Sequence, residues 1–263
     1  EVYDLDEVDL TQGRWLILAR TNYRLIKMKP YLIERGIYFE YKERKSFSAK
    51  LWKAIRDFTR WTSGAQLTAP EIKDIFDFGS AAGTFVEWAK EEGYNIVGHE
   101  YHKPLRKFCT NRGLTMLNDN LETIKLDKQF DLITCWDYVD HLHNPVEVIN
   151  NISKYLKPGG LFFFAINNID SLVVKIMHEH SPTFIGPHHS VHYGINNLNI
   201  LMKDYSLLHS ESYVSELNWI SNWCNWDNPE FGDTPLMHDI FDTKKICADG
   251  LGFKMNVIYK KDK

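Results

Sequence analysis

Residues 77 to 83 read DFGSAAG, in which Asp77 precedes two glycines, Gly79 and Gly83, separated by three residues. Glycine lets a backbone come closer to a ligand than a Cβ would permit. A nucleoside triphosphate would need G-x-x-x-x-G-K-[ST], whose lysine reaches the phosphates, and the chain holds no such match. A dinucleotide would need G-x-G-x-x-G opening a helix, with the diphosphate at the helix N-terminus. Here the spacing is G-x-x-x-G, and Asp77 would repel a diphosphate but attract an ammonium or a sulfonium. The loop therefore points to a cationic amino-acid ligand.

Other residues of chemical interest follow. Glu100 ends the run VGHE, 17 residues after Gly83. Seven of the 11 histidines lie between His141 and His192: His141, His143, His178, His180, His188, His189 and His192. Asp137, Asp140 and His141 are of the types that bind magnesium or a transition metal. A helical Asp140 with a solvated side chain is the plainer reading. HHSVH (188–192) has the types for a transition metal and reads first as a polar pocket wall. No metal ligand is assigned from the sequence.

The elements that must position these residues alternate regularly from Ile72. IFDF (75–78), NIVGHE (95–100), LTMLND (114–119), FDLITCW (130–136) and LFFFAIN (161–167) read as strands. TFVEWAKEEG (84–93), KPLRKFCTNRG (103–113) and PVEVINNISKYLKPGG (145–160) read as helices with glycine or PGG stops. Strands separated by such helices imply parallel pairing and right-handed crossovers. The expected fold is a doubly wound, mostly parallel, Rossmann-like α/β sheet with helices on both faces. Each candidate group then falls at the C-terminal end of a strand, where open parallel sheets bind ligands. Further on, 196–208 reads as a helix, ESYVSEL and FKMNVIYKK as strands, and the Trp- and Asn-rich stretch 218–235 as a long loop.

The 263 residues are 44% apolar and 25% charged, as in a globular protein. The net charge of −4 gives no global reason for a nucleic-acid or anionic-membrane partner. Cys109, Cys135, Cys224 and Cys247 show no CxxC spacing, the pattern of a thiol-keeping cytoplasmic protein. No stretch approaches the roughly 18 apolar residues of a membrane span, and the acidic N-terminus is unlike a signal peptide. A first residue of Glu suggests a fragment of a longer protein.

From about Ile72 to the end, the chain resembles a class I S-adenosylmethionine-dependent methyltransferase. It is similar to the small-molecule group that includes the ubiquinone-pathway O-methyltransferases. The likeness rests on Asp77, Gly79 and Gly83 in the strand-(D/E)-x-G-x-x-x-G opening, on Glu100 ending the second strand, and on the turn Asn120-Leu121-Glu122, where the family usually has Asp first. It continues through FDLITCWDYVDHLHNP and through LKPGG followed by LFFFAIN. The resemblance implies a seven-stranded methyltransferase sheet and S-adenosylmethionine as cofactor. It assigns the cofactor to Asp77, Gly79, Ser80, Ala81, Gly83, Glu100, Tyr101, Asn120, Leu121, Cys135, Trp136 and Asp137. Glu100 would accept the two ribose hydroxyls, and the turn at Asn120 would meet the adenine. In the ubiquinone-pathway enzymes the Asp137-x-x-Asp140-His141 stretch, with Glu in place of Asp, is linked to a divalent metal.

Methyl transfer to oxygen or nitrogen needs a group that removes a proton, and histidine titrates in the right range. His141, just after the fourth strand, and His189, in HSVHYG, are the candidate catalytic residues. The expected activity is O-methylation of a small-molecule acceptor. Trp219, Trp223 and Trp226 read as packing of a loop or as a cap on an apolar acceptor.

Residues 1–71 are expected to form a separate small α/β segment, with the methyltransferase domain over 72–263. Between Arg14 and Arg60 there are 13 Lys and Arg against 4 Asp and Glu, interleaved with aromatics. Residues 13 to 74 resemble a short piece of a UvrD-like superfamily 1 helicase, with Arg20 as its strand arginine. This segment supplies the second reading, a nucleic-acid-binding protein or nucleic-acid methyltransferase. Against it, the place after the fourth strand holds CWDYVDHLHNP, not the Asn/Asp-Pro-Pro-aromatic loop of amino-methylating nucleic-acid enzymes.

Overall fold

The computed structural model describes residues 72–184, 189–213, 220 and 241–262. It adds one short antiparallel ladder, β1 (Glu40–Tyr41) with β2 (Arg44–Lys45). Most of the basic segment, Arg20, Cys224 and the tryptophans 219, 223 and 226 lie outside the described residues.

The chain then runs β3 (Asp74–Phe78), α1 (Thr84–Glu91), β4 (Asn95–His99), α2 (Lys103–Asn111), β5 (Met116–Leu117) and β6 (Phe130–Trp136). It continues with α3 (Pro145–Ile152), β7 (Leu156–Asn167), α4 (Leu172–Met177), α5 (Ile195–Leu201), β8 (Tyr205–Tyr213), α6 (Thr243–Ala248) and β9 (Lys254–Lys261). Seven strands form one sheet in the order β5-β4-β3-β6-β7-β9-β8. The first five pair in parallel, whereas β9 is antiparallel to both its neighbours. The doubly wound α/β reading holds.

Alternation along the strands makes two cores. Phe76, Phe78, Ile133, Cys135, Phe162 and Phe164 pack on one face with Val148, Ile149 and Ile152 of α3. Ile75, Leu132, Phe163 and Ala165 pack on the other with Phe85, Val86 and Ala89 of α1. β6 is buried along almost its whole length, as a strand covered on both faces must be. At its start, Asp131 Oδ2 accepts the backbone amides of Lys73 and Asp74 at 3.0 and 2.9 Å, which sets β6 against the entry to β3.

Two elements differ from the sequence reading. The helix expected over 145–160 ends at Ile152, followed by one 3-10 turn, and LKPGG opens β7. Pro158 cannot continue a helix and restricts Lys157 before it, while Leu156 finds a partner in Phe130. The helix expected over 196–208 ends at Leu201, and β8 begins at Tyr205. Pairing of Tyr205 with Lys261 overrides the helical spacing of Tyr205, Leu207 and Leu208. No described helix is long and apolar enough to cross a membrane.

Candidate functional site

The loop after β3 is tied to the end of β4. The amides of Gly79 and Ser80 both donate to His99 O at 2.9 Å. Ala81 N donates to Glu100 Oε2 at 2.8 Å, and His102 N donates to Oε1 at 2.7 Å. A carboxylate offers roughly four lone-pair sites, so about two remain for hydroxyl donors. Glu100 is 7% exposed, so its charge is held by these amides and not by bulk water.

Gly79 and Gly83 both have φ 73°, a left-handed conformation that L side chains resist. Each also lacks room for a Cβ. On Gly79 it would overlap the Tyr138 ring; on Gly83 it would come within 2.8 Å of Cys109 Sγ. Tyr138 therefore roofs the first glycine. Burial pushes its hydroxyl up to about 12.

Asp77 is 1% exposed. Thr134 donates to its Oδ1 at 2.6 Å, and Oδ2 is buried with no hydrogen-bond partner. Burial, opposed by the Thr134 hydrogen bond, pushes its carboxyl up to about 7. An orphaned buried acceptor beside a loop with no room for side chains is the environment that a cationic ligand group would satisfy.

The remaining expected cofactor residues divide by orientation. Tyr101 is exposed and Leu121 is buried, with Leu121 O accepting from Asn151. Asn120 Oδ1 accepts Glu122 N at 2.9 Å, which shapes the turn. His99 steadies that turn from below: its Nε2 meets Asp119 O at 2.7 Å while its Nδ1 has no partner. Cys135 points into the core, and Trp136 packs on Phe85 and Phe163. Asp137 has φ 51°, and its carboxylate pairs with Lys254 from the start of β9. Neither Tyr138 nor Lys254 was picked out from the sequence. Lys254 joins this edge only because β9 runs in reverse, which no local pattern signals.

His141 and His189 come together although 48 positions separate them, with ring centroids 4.9 Å apart. Between them sits Asp140, 4% exposed, which the sequence reading had left as a solvated helical acid. Its Oδ1 lies 3.8 Å from His141 Nε2 and its Oδ2 lies 3.7 Å from His189 Nε2. The backbone fixes the arrangement, since Ser190 N and Val191 N both donate to Asp140 O, at 2.7 and 3.2 Å. His189 Nδ1 lies 3.0 Å from Thr183 O. A carbonyl only accepts, so Nδ1 carries a hydrogen.

Known proteins resemble this chain in sequence and in fold. A family model described as a methyltransferase domain matches residues 47–209. The ubiquinone biosynthesis O-methyltransferase of Vibrio parahaemolyticus is 28% identical over 115 residues, 40% of this chain and 49% of that protein. The same enzyme of Coxiella burnetii (strain RSA 493 / Nine Mile phase I) is 30% identical over 103 residues, 36% of this chain and 44% of that one. The chain thus spans about half the length of the curated relatives it matches. A SAM-dependent methyltransferase from Archaeoglobus fulgidus superposes with a TM-score of 0.55 at 18% identity, covering 92% of this chain and all of that one. N-methyltransferase NodS from Bradyrhizobium japonicum WM9, solved with S-adenosyl-L-homocysteine, gives 0.51 at 13% identity, covering 81% and 87%. The helicase likeness of residues 13 to 74 is not borne out, and the family match begins inside that segment. With its match covering most of the sheet and its loop, cradle and strand order in place, the chain belongs to the class I S-adenosylmethionine-dependent methyltransferases.

Proposed function

We propose that the chain transfers a methyl group to a hydroxyl of a small-molecule acceptor. The observation that carries this reading is the Asp140–His141–His189 cluster, in which Asp140 and His141 follow β6, beside the strand ends that carry Asp77 and Glu100, and His189 comes from the segment before α5. The names of the O-methyltransferase relatives support the choice of oxygen.

S-adenosylmethionine supplies a methyl group made electrophilic by its sulfonium. Glu100 would hold the ribose hydroxyls with the lone-pair positions that Ala81 N and His102 N leave open. Asp77 meets the positive methionyl end with its orphaned oxygen. Gly79, Ser80, Ala81 and Gly83 give the backbone cradle, Asn120 and Leu121 the adenine turn, and Tyr101, Cys135, Trp136 and Asp137 the walls. A bound S-adenosylmethionine would give its methyl group to the acceptor oxygen and leave as S-adenosylhomocysteine, and His189 or His141 would take the acceptor's proton. Asp140 then stabilises the imidazolium.

The reading extends to the setting. Cys109, Cys135 and Cys247 are unpaired, as a cytoplasmic protein would keep them. Residues 1–71 stay proposed as a separate segment.

The test is transfer of a labelled methyl group to a panel of hydroxyl, amine and nucleic-acid acceptors. Transfer to hydroxyls that falls in His189→Ala and His141→Ala is the expected result. Transfer to amines or nucleic acid alone would overturn it.

A further inference from the structure

One buried cation lies at the cofactor edge of the sheet with most of its hydrogen-bonding capacity unspent. The Lys254 side chain is 9% exposed. A lysine ammonium carries three N–H donors. One goes to Asp137 Oδ1, and no other described residue takes the remaining two. Asp137 is 53% exposed and shares its charge with water, so it answers only part of the ammonium's need. A buried charge left short of partners is costly, and a ligand group of opposite sign relieves it.

The fold sets this cation beside the acid before the glycine loop. Lys254 opens β9 and pairs with Asn167 at the end of β7. The strand order here is β3-β6-β7-β9, so the lysine stem crosses the end of β7 to reach Asp137, which follows β6. β6 is the neighbour of β3, the strand that carries Asp77. Side chains alternate along a strand, and the pairings of Asp77 with Thr134, Trp136 with Ala165 and Ala165 with Asn256 carry one face across the sheet. Asp77, Trp136 and Lys254 all belong to that face. An orphaned carboxylate oxygen and an ammonium with spare donors are thus brought to the ends of adjacent strands, with Trp136 in the row between them.

We propose that Lys254 is a specificity-determining residue of the cofactor site: its spare N–H groups bind the carboxylate at the methionyl end, while Asp77 takes the ammonium. An α-amino acid carries both charges on one carbon, so it calls for an acid and a base on adjacent strand ends, which this face supplies. Hydrogen bonds between ionised groups are the stronger kind. A ligand that leaves a buried donor unpaired is penalised for it. Lys254 therefore selects a cofactor that keeps its amino-acid carboxylate over one that has lost it. The inference rests on the cofactor placement proposed above and adds to it a residue from β9, which neither the glycine loop nor the Glu100 turn signals.

The experiment is calorimetric titration of the chain with S-adenosylhomocysteine and with its decarboxylated analogue, which keeps the ammonium. The parent should bind S-adenosylhomocysteine about tenfold or more tightly than the analogue. Lys254→Met should bind the two ligands alike, through lost affinity for S-adenosylhomocysteine. Lys254→Arg, which keeps the charge, should retain part of the preference. Lys260→Met, at the exposed far end of the same strand, should behave as the parent. The comparison within the parent needs no variant to fold. Equal affinity of the parent for the two ligands, or a preference that survives in Lys254→Met, would overturn the assignment and leave the cofactor placement intact. Failure of the parent to bind S-adenosylhomocysteine at all would overturn both.

Discussion

Glu100 and Ala81 are joined by a hydrogen bond from the Ala81 amide to the Glu100 carboxylate at 2.8 Å. The residue proposed to hold the ribose thus also holds the glycine loop in shape, so cofactor affinity and loop order are coupled through one side chain.

Glu100→Ala should lose both roles. Hydrogen bonds to a charged group contribute about 1.5–3 kcal/mol each, so S-adenosylhomocysteine affinity should fall at least tenfold in calorimetric titration. Parent-like affinity would remove Glu100 from the site.

Gly79→Ala and Gly113→Ala form a matched pair. Both positions have φ 73°, but a Cβ on Gly113 meets only Lys90 Nζ at 3.7 Å, whereas on Gly79 it overlaps Tyr138. The left-handed conformation costs roughly 1–2 kcal/mol in either variant. Urea unfolding should show a larger loss for Gly79→Ala, by about 1 kcal/mol or more. Equal losses would mean that Tyr138 moves aside freely.

Asp77 predicts a pH dependence. Its carboxyl, pushed up by burial to about 7 from 3.8, keeps its proton in the folded chain where the unfolded chain has lost it. Its contribution to stability is full below 3.8 and is lost as pH rises to about 7. The melting temperature of ligand-free Asp77→Asn, relative to the parent, should therefore increase between about pH 5 and about pH 8. The same variant should bind S-adenosylhomocysteine more weakly. A constant difference in melting temperature would show that Asp77 titrates normally.

The Asp137–Lys254 pair should respond unequally to cutting. The Lys254 side chain is 9% exposed and that of Asp137 53%. Asp137→Gly, which suits φ 51°, strands a buried ammonium and should cost about 3 kcal/mol. Lys254→Met leaves a carboxylate that water can reach and should cost about 1 kcal/mol. Chemical unfolding of both variants decides; the reverse order would place the burden on Asp137.

Most of the sheet was legible because its strands are apolar runs bounded by glycine stops, and β3, β4 and β6 fall within a residue of their expected bounds. The loop at Gly79 and the acid at Glu100 were legible because backbone approach and a strand-end carboxylate leave local signatures. What escaped was long-range. Nothing near Asp140 shows that it is buried, since its burial depends on the segment carrying His189. Nothing near Tyr205 shows that it leaves the helix, since its partner Lys261 lies at the far end of the chain.

The reversed strand β9 has a consequence for how the protein is made. It enters the sheet between β7 and β8, and among the described residues β8 pairs with no other strand. A ribosome delivers β8 well before β9, so, among the described strands, the growing chain holds β7 with one edge bare and β8 without its partner. The apolar run Phe162–Phe164 lies along that bare edge, the kind of surface on which nascent chains aggregate or recruit chaperones. Synthesis halted before Lys254 would leave both strands without their shared partner, so closure of the described sheet depends on a late strand arriving in its middle.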